Sequence, residues 1–430
     1  MRAMKDSGIK WIGEIPEEWE VKRIKDILEK TKEGIKIGPF GSSLTNKVLD
    51  NGPYKIYGQW NIVGKNFNAG KNYISEETFQ ELSSYAIKSG DILISMMGTI
   101  GKCSIIPNVI TKGIMDSHVI KIRLNDVFIV PTFFEYFYDK DNSDIVMTQL
   151  NLLKKGSIMD GINSSIVKNI YIVCPPLSEQ QRIATYLDTK CGEIDELIGI
   201  QEKFIEELKS YKQSVITETV TKGLNPNAKM KDSGVEWIGE IPEEWNMSKI
   251  KFEFLILDYL RQPISAENRK NELGLYNYYG ASGVIDKIDD YNVDDKVLLI
   301  GEDGANLVMR NLPLIYKAEG KFWVNNHAHI LKPKYSDYEY MAFLLEAGNY
   351  THYITGSAQP KLSQENVKNF IIPVPPLSEQ HLIATYLDNK CSQIDSLIAL
   401  KQTKIDELKS FKKSLIYEYV TGKKTVPETV

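Results

Sequence analysis

The chain has 430 residues, 42% of them hydrophobic and 25% charged, with a formal net charge of −5. That balance fits a soluble globular protein with room for two to four domains, and it argues against a free-standing polycation for nucleic acid. No run reaches the ~18 apolar residues of a membrane span, and MRAMKDSGIKWIGE lacks a secretory apolar stretch, so a cytoplasmic protein without a membrane is expected.

Met4–Trp19 reads MKDSGIKWIGEIPEEW and returns at Met230–Trp245 as MKDSGVEWIGEIPEEW, identical at 14 of 16 positions at an offset of 226. A mixed module follows each copy. Glu20–Leu177 holds 19 Lys and Arg against 16 Asp and Glu; Asn246–Leu377 holds 14 against 16. Phosphate attraction is therefore weak unless charge segregates on one face or a partner supplies more. Ile92-Leu93-Ile94 and Val297-Leu298-Leu299-Ile300 predict short buried strands, each ending in a glycine-containing loop. Inside the modules Tyr57-Gly58-Gln59-Trp60 matches Tyr279-Gly280-Ala281-Ser282, and Asp116-Ser117-His118 matches Asn325-Asn326-His327. Gly156-Ser157 and Val167-Lys168-Asn169 match Gly356-Ser357 and Val367-Lys368-Asn369, whereas Ile158-Met159-Asp160-Gly161 stands against Ala358-Gln359-Pro360-Lys361. Unlike loops on a shared frame are where recognition usually sits.

A second repeat closes each module. Pro175–Thr221 and Pro375–Thr421 share 29 of 47 positions at an offset of 200, so the first module is the longer by 26 residues. PPLSEQ and IATYLD lead into a long helical pattern. Ser178 and Ser378 are expected N-caps, with Gln181 completing a capping box that His381 lacks. One heptad seam runs through Leu187, Ile194, Gln201, Leu208 and Val215, its companion through Cys191, Ile198, Ile205 and Lys212. The second copy has Leu387, Ile394, Lys401, Leu408, Leu415 and Cys391, Ile398, Ile405, Lys412. Matched seams predict that the helices pair as a coiled coil, each about 65 Å long at 44 residues. Separate packing of each helix on its own module is the alternative. Gly223, Asn225 and Pro226 end the first helix. The expected domains are residues 1–177, 178–226 (helix and linker), 227–377 and 378–430 (helix and tail). The fold class is α/β (α+β), two modules in pseudo-twofold repeat with two long helices.

Catalytic signatures are scarce. Gly98-Thr99-Ile100-Gly101-Lys102 looks like the end of a phosphate loop, but Met96 stands where glycine is needed and Cys103 where Ser or Thr is. His327 and His329 alternate on one face of a predicted strand without a third ligand, which favours a satisfied or DNA-facing histidine over metal. No GxSxG, HExxH, GxGxxG or CxxC occurs. Cys103, Cys174, Cys191 and Cys391 suggest no disulfide framework.

Two variable modules, each opened by GEIPEEW and closed by PPLSEQ, IATYLD and a long helix, resemble the specificity subunit of type I restriction–modification systems over essentially the whole chain. The resemblance implies two target-recognition domains, each reading half of a bipartite double-stranded DNA site. It also implies an antiparallel coiled coil that spaces them and docks modification (methyltransferase) subunits, two per complex. Restriction/translocase subunits would join these. S-adenosylmethionine, ATP and Mg²⁺ would be used by the partners, with no cofactor, no metal and no catalytic residue on this chain. The absence of NPPY/DPPY and ATPase motifs agrees with that.

Polar loop residues that can address base edges are the candidate DNA contacts. In the first module they are Ser42, Ser43, Gln59, Trp60, Asn61, Thr99, Lys102 and Ser117. In the second they are Arg261, Gln262, Ser282, Glu302, Asp303, Asn306, Asn325, Asn326, Gln359 and Lys361. Trp11, Trp19, Trp237 and Trp245 are expected to pack modules against helices rather than stack on bases. Two other readings are a non-catalytic protein-binding adaptor, which would show no sequence-selective DNA binding with its partners, and a fused DNA enzyme, which would act alone. A helical spacer predicts that one heptad inserted after Ile198 lengthens the gap between half-sites.

Overall fold

The repeated opening segment folds the same way twice. Met4–Asp6 pairs antiparallel with Glu14–Pro16, and Met230–Asp232 pairs with Glu240–Pro242. Ile15 and Ile241 turn inward from these hairpins and are fully buried. The computed structural model describes residues 2–427 except 41–42, 45–46, 50, 140, 142–143, 154–160, 266, 268, 270–273 and 357–358.

The first and last strands of each module tie it shut. Glu20–Arg23 pairs with Tyr171–Cys174, and Asn246–Lys249 with Ile371–Val374. Between them the first module carries an antiparallel sheet in the order Ile35–Ile37, Val119–Ile122, Ile92–Ser95, Cys103–Ile105. The second repeats it as Phe254–Ile256, Ala328–Pro333, Val297–Gly301, Ile315–Ala318. A smaller sheet stands beside each, built on a parallel pair: Tyr54–Tyr57 with Gly113–Met115, and Tyr276–Gly280 with Lys321–Val324. The apolar runs at Ile92 and Val297 are interior strands, buried at every residue. Shielding on both faces is why they show no alternation of polar and apolar residues.

The long helices span Leu177–Lys222 and Leu377–Val420. They begin one residue before the serines expected to cap them. The Pro176 carbonyl accepts from Glu179 N at 2.9 Å and Gln180 N at 3.0 Å, and Pro376 does the same for Glu379 and Gln380. Ser178 and Ser378 therefore lie in the first turn, and the Gln181 side chain reaches Thr185, at 3.5 Å. The adjacent glutamine fixes the entry instead. Gln180 Nε2 donates to the Pro175 and Phe128 carbonyls while its Oε1 accepts from Val130 N. Gln380 repeats this with Pro375 and Asp337.

At the far ends Gly223 (φ +73°) and Gly422 (φ +72°) take the left-handed conformation that glycine tolerates. A Cβ on Gly223 would lie 3.1 Å from the Trp245 ring, and one on Gly422 3.0 Å from that of Trp19. Both tryptophans are fully buried, and their indole N–H groups donate to Glu379 and Glu179, each at 2.9 Å. The last residue of GEIPEEW thus bonds to the glutamate of PPLSEQ. Trp237 stacks on Phe370 at 5.7 Å, and Trp11 offers its carbonyl to Tyr417 at 3.2 Å. Trp19, Trp237 and Trp245 thus serve packing.

Contacts divide the chain into Met1–Gln201 with Thr403–Val430, and Glu202–Gln402. Boundaries at 177, 226 and 377 would part helices from modules. The observed division falls inside both helices, so each unit holds one module and half of each helix.

In the first unit the ring of Tyr186 lies 4.7 Å from that of Tyr419, and Asp195 pairs with Lys412 at 2.7 Å. In the second, Lys401 lies 4.9 Å over the Phe204 ring and Lys212 pairs with Asp395 at 2.7 Å. Residue numbers rise on one strand of the coil as they fall on the other, so the halves pair antiparallel. Leu187, Cys191, Ile194, Ile198 and Ile405 are buried and Leu408 half-buried on the first seam. Leu387, Cys391, Ile394 and Ile205 are buried, with Ile398 and Leu208 half-buried, on the second. Lys212 and Lys412, which interrupt the heptads, each meet an aspartate of the other helix. Both aspartates are over half exposed, so screening keeps the gain small. A double-mutant cycle on Asp195→Ala and Lys412→Ala is expected to give a coupling of about 0.2–1 kcal/mol that shrinks with salt in denaturant titrations.

Candidate nucleic-acid interface

Equivalent backbone bonds bring the same loops together in each module. Met96 N donates to His118 O at 3.1 Å, Ile162 N to Met96 O at 2.9 Å and Asp116 N to Tyr57 O at 2.9 Å. In the second module Glu302 N donates to His327 O at 2.8 Å, Leu362 N to Glu302 O at 2.7 Å and Asn325 N to Tyr279 O at 3.1 Å. Met96 therefore corresponds to Glu302, His118 to His327, Gly161 to Lys361 and Asp116 to Asn325. The expected matches at Tyr57/Tyr279 and Asp116/Asn325 hold in space.

In the first module Gln59 is half-buried and its Oε1 accepts from Met97 N at 3.4 Å, joining two of the loops. Trp60 is exposed, its ring lying over Gly70 at φ +102°, where a Cβ would come within 1.8 Å. Thr99 and Ser117 are half-buried on the same loop set, and Ser117 Oγ lies 3.1 Å from both Asp116 Oδ1 and His118 Nδ1. Ser43 sits in a separate turn, its N–H donating to Phe40 O at 2.8 Å. Ser42 lies outside the described residues, as do 156–160 and 357–358 of the loops compared above.

Two expected contacts leave the base-facing set. Asn61 is fully buried: its Oδ1 accepts from Gly58 N at 3.0 Å and its Nδ2 donates to Asn66 O at 2.8 Å and Ala69 O at 3.3 Å. Lys102 is buried beside Asp139 and Asp141, so the GTIGK loop holds its lysine inward rather than toward a phosphate.

The second module gathers ions where the first has few. Arg261 forms an ion pair with Glu302, lies 3.4 Å from Asp258, and donates to Asn326 O at 3.3 Å and Ala328 O at 3.4 Å. Its guanidinium is spent on the frame, which removes it from direct reading. Asn306 is likewise committed, bonding Leu312 in both directions and Pro313 O at 3.2 Å. Asn325 is buried and its Oδ1 accepts from His327 N at 2.8 Å. His329 is a satisfied core histidine: Nδ1 lies 2.6 Å from Asp258 Oδ2 and Nε2 2.8 Å from Leu362 O. Burial pushes the Asp258 carboxyl up, but the His329 bond and charge, Ile330 N and Gln364 outweigh it and hold the group below its usual range. Glu302 behaves alike: burial raises it, and bonds from Arg261 and Lys361 bring it lower.

What remains outward in the second module is Gln262, Ser282, Asn326, Gln359 and Lys361, with Asp303 half-buried against His327 at 2.7 Å. His118 and His327 face solvent at corresponding loop positions, about half exposed each. They are the one identical residue of the DSH/NNH match in the sequence. Among the described residues no His, Cys, Asp and Glu cluster could hold a metal, and no helix is long and apolar enough to cross a membrane. All four cysteines are free and buried.

A family model described as type I restriction modification DNA specificity domain matches residues 16–210 and 242–410. A Methanocaldococcus jannaschii protein named a putative type I restriction enzyme MjaX specificity subunit is 27% identical, over 96% of this chain and 95% of its own. A solved structure described by the complex assembly and conformational transition of the type I R-M system has a TM-score of 0.70 at 18% identity, over 94% of this chain and 98% of its own. The HsdS subunit of Thermoanaerobacter tengcongensis has a TM-score of 0.51 at 18% identity, over 95% and 98%. At that identity the two structures speak for the fold.

Proposed function

The chain belongs to the type I restriction modification DNA specificity family, and on that premise we propose that it selects the DNA site for a type I complex without doing chemistry itself. Each module reads one half of a bipartite duplex site. The paired helices set the gap and dock two modification subunits, to which restriction/translocase subunits are added. Those partners use S-adenosylmethionine, ATP and Mg²⁺; this chain binds none of them. The complex works in the cytoplasm, where its DNA is.

One observation carries this reading. The two modules share a backbone-bonded loop skeleton, yet most comparable positions on it carry different residues: Gln59 against Ala281, Met96 against Glu302, Ser117 against Asn326, Gly161 against Lys361. A conserved frame with exchanged loop chemistry suits two unlike half-sequences. The net charge of −5 suits a chain whose partners supply much of the phosphate clamp.

Purified chain incubated with DNA and labelled S-adenosylmethionine, with and without Mg²⁺ and ATP, is expected to transfer no methyl group and cut nothing. Adding modification subunits is expected to place methyl groups on adenines in one bipartite sequence. Activity of the chain alone, or no sequence preference in the assembled complex, would sink the reading.

A further inference from the structure

The ion network of the second module is not required by the fold. The first module builds the same sheet with Met96 at the position of Glu302 and Gly161 at that of Lys361. The strand registers pair Ile120 with Ile94 and His329 with Ile300, so Ile120 fills the place of His329. Taking charges out of water is costly, and apolar residues of similar size commonly serve stability as well or better. The first module is an internal example of that solution. Something other than stability must retain the charges in the second.

Glu302 is fixed through its backbone on both sides, by His327 O and Leu362 N. Its side chain is 10% exposed and is held from within by Arg261, itself anchored on the Asn326 and Ala328 carbonyls. Lys361 is the outermost member. Its side chain is 55% exposed, and its one side-chain partner among the described residues is Glu302, at 3.0 Å.

We propose that Lys361, oriented by Glu302, is the specificity-determining donor of the second module and addresses the acceptor atoms of a guanine in the major groove rather than a phosphate. This rests on the site-selection reading above. An ammonium has three donors. With one directed to Glu302, the others point outward in a restricted fan. Arg261 and Lys361 face Glu302 and Asp258, so the cluster is close to neutral and a phosphate gains little from Lys361 while meeting repulsion from Glu302. A neutral acceptor pair does not meet that repulsion. Guanine presents N7 and O6, both acceptors, whereas adenine sets its N6 amino donor against the ammonium. Lys361 is therefore the reading residue and Glu302 a positioning residue.

The test uses the full chain assembled with its modification subunits, and reads methylated sites by sequencing and DNA binding against salt. Lys361→Ala is expected to relax one guanine position in one half-site, with discrimination there falling roughly 5- to 150-fold. The log–log salt slope should stay unchanged. Glu302→Gln is expected to relax the same position and to raise non-specific affinity, because the lysine is released for phosphates. The half-site read by the first module should persist in both variants, which reports that they are folded. A uniform loss of affinity with the slope reduced by about 1 marks a phosphate contact and overturns the proposal. An unchanged half-site in Lys361→Ala, where an exposed side chain is trimmed, overturns it as well. If the wild-type complex itself shows no bipartite preference, the site-selection reading has failed first.

Discussion

Trp245→Ala is expected to destabilise the second unit by about 3–5 kcal/mol. The indole is fully buried, packed in one core with Ile216, Val220, Ile383 and Leu387, so its removal empties a junction of three segments. The loss also strips Glu379 of a 2.9 Å donor at the start of a long helix and leaves Gly223 facing a void. A loss of that size is a large share of the ~5–15 kcal/mol that holds a typical domain folded. Hydrogen exchange is expected to accelerate throughout 230–376 while protection over 54–138 is kept. Trp245→Phe retains most of the packing and loses the bond to a charged acceptor, a cost of about 1.5–3 kcal/mol. Trp19→Ala is the matching experiment in the first unit. Equal exchange in both units, or no change for Trp245→Ala, contradicts the account.

Seven residues added to both helices, after Gln201 and after Gln402, are expected to lengthen the unspecified gap in the recognised DNA while both half-sequences stay the same. The division of contacts between Gln201 and Glu202 and between Gln402 and Thr403 dictates the pairing of insertions. A heptad after Ile198 alone lengthens one side of an antiparallel pair and not the other, so it is expected to be far less active than the matched pair. A whole heptad keeps the seam facing inward and preserves the Asp195–Lys412 and Lys212–Asp395 pairs inside their units. The added helix is roughly 10 Å, close to three base pairs of rise. Helical rotation of the DNA opposes so large a change, so the expected shift is about one to three base pairs. Methylome sequencing reads the gap directly, and an active matched-insertion complex with an unchanged gap refutes the spacer.

Much of this architecture is legible in the sequence because it is periodic or repeated. Leu187, Cys191, Ile194 and their counterparts mark a helical seam by spacing alone, and Val297–Ile300 marks a strand by being apolar throughout. The role of Trp19 and Trp245 followed from their recurrence beside helices. The capping of those helices did not follow: serine is the better N-cap by preference, yet the proline carbonyl one residue earlier takes the first amides. The loops were least legible. Gln59 and Asn61 are both amides in one short helix, but one joins two loops and the other is wholly enclosed. Arg261 looks like a base reader until strand register sets it beside Glu302, 41 residues away. Asp258 meets Gln364 across 106 residues. Local composition cannot encode a partner that only the assembled sheet supplies.

The division of each long helix between two units also governs the order in which the molecule can be completed. The second unit is one continuous stretch, Glu202–Gln402, and has all of its parts once Gln402 has left the ribosome. The first unit begins at the start of the chain but still needs residues from Thr403 onward, including the fully buried Ile416 and Val420 and the carbonyl of Val426 that receives Arg182. The module synthesised first is thus the last to close. Until then the seam at Ile183, Leu187 and Cys191 lies open, and nascent chains stalled before Thr403 carry an unprotected apolar stripe of the kind that chaperones hold or that aggregates.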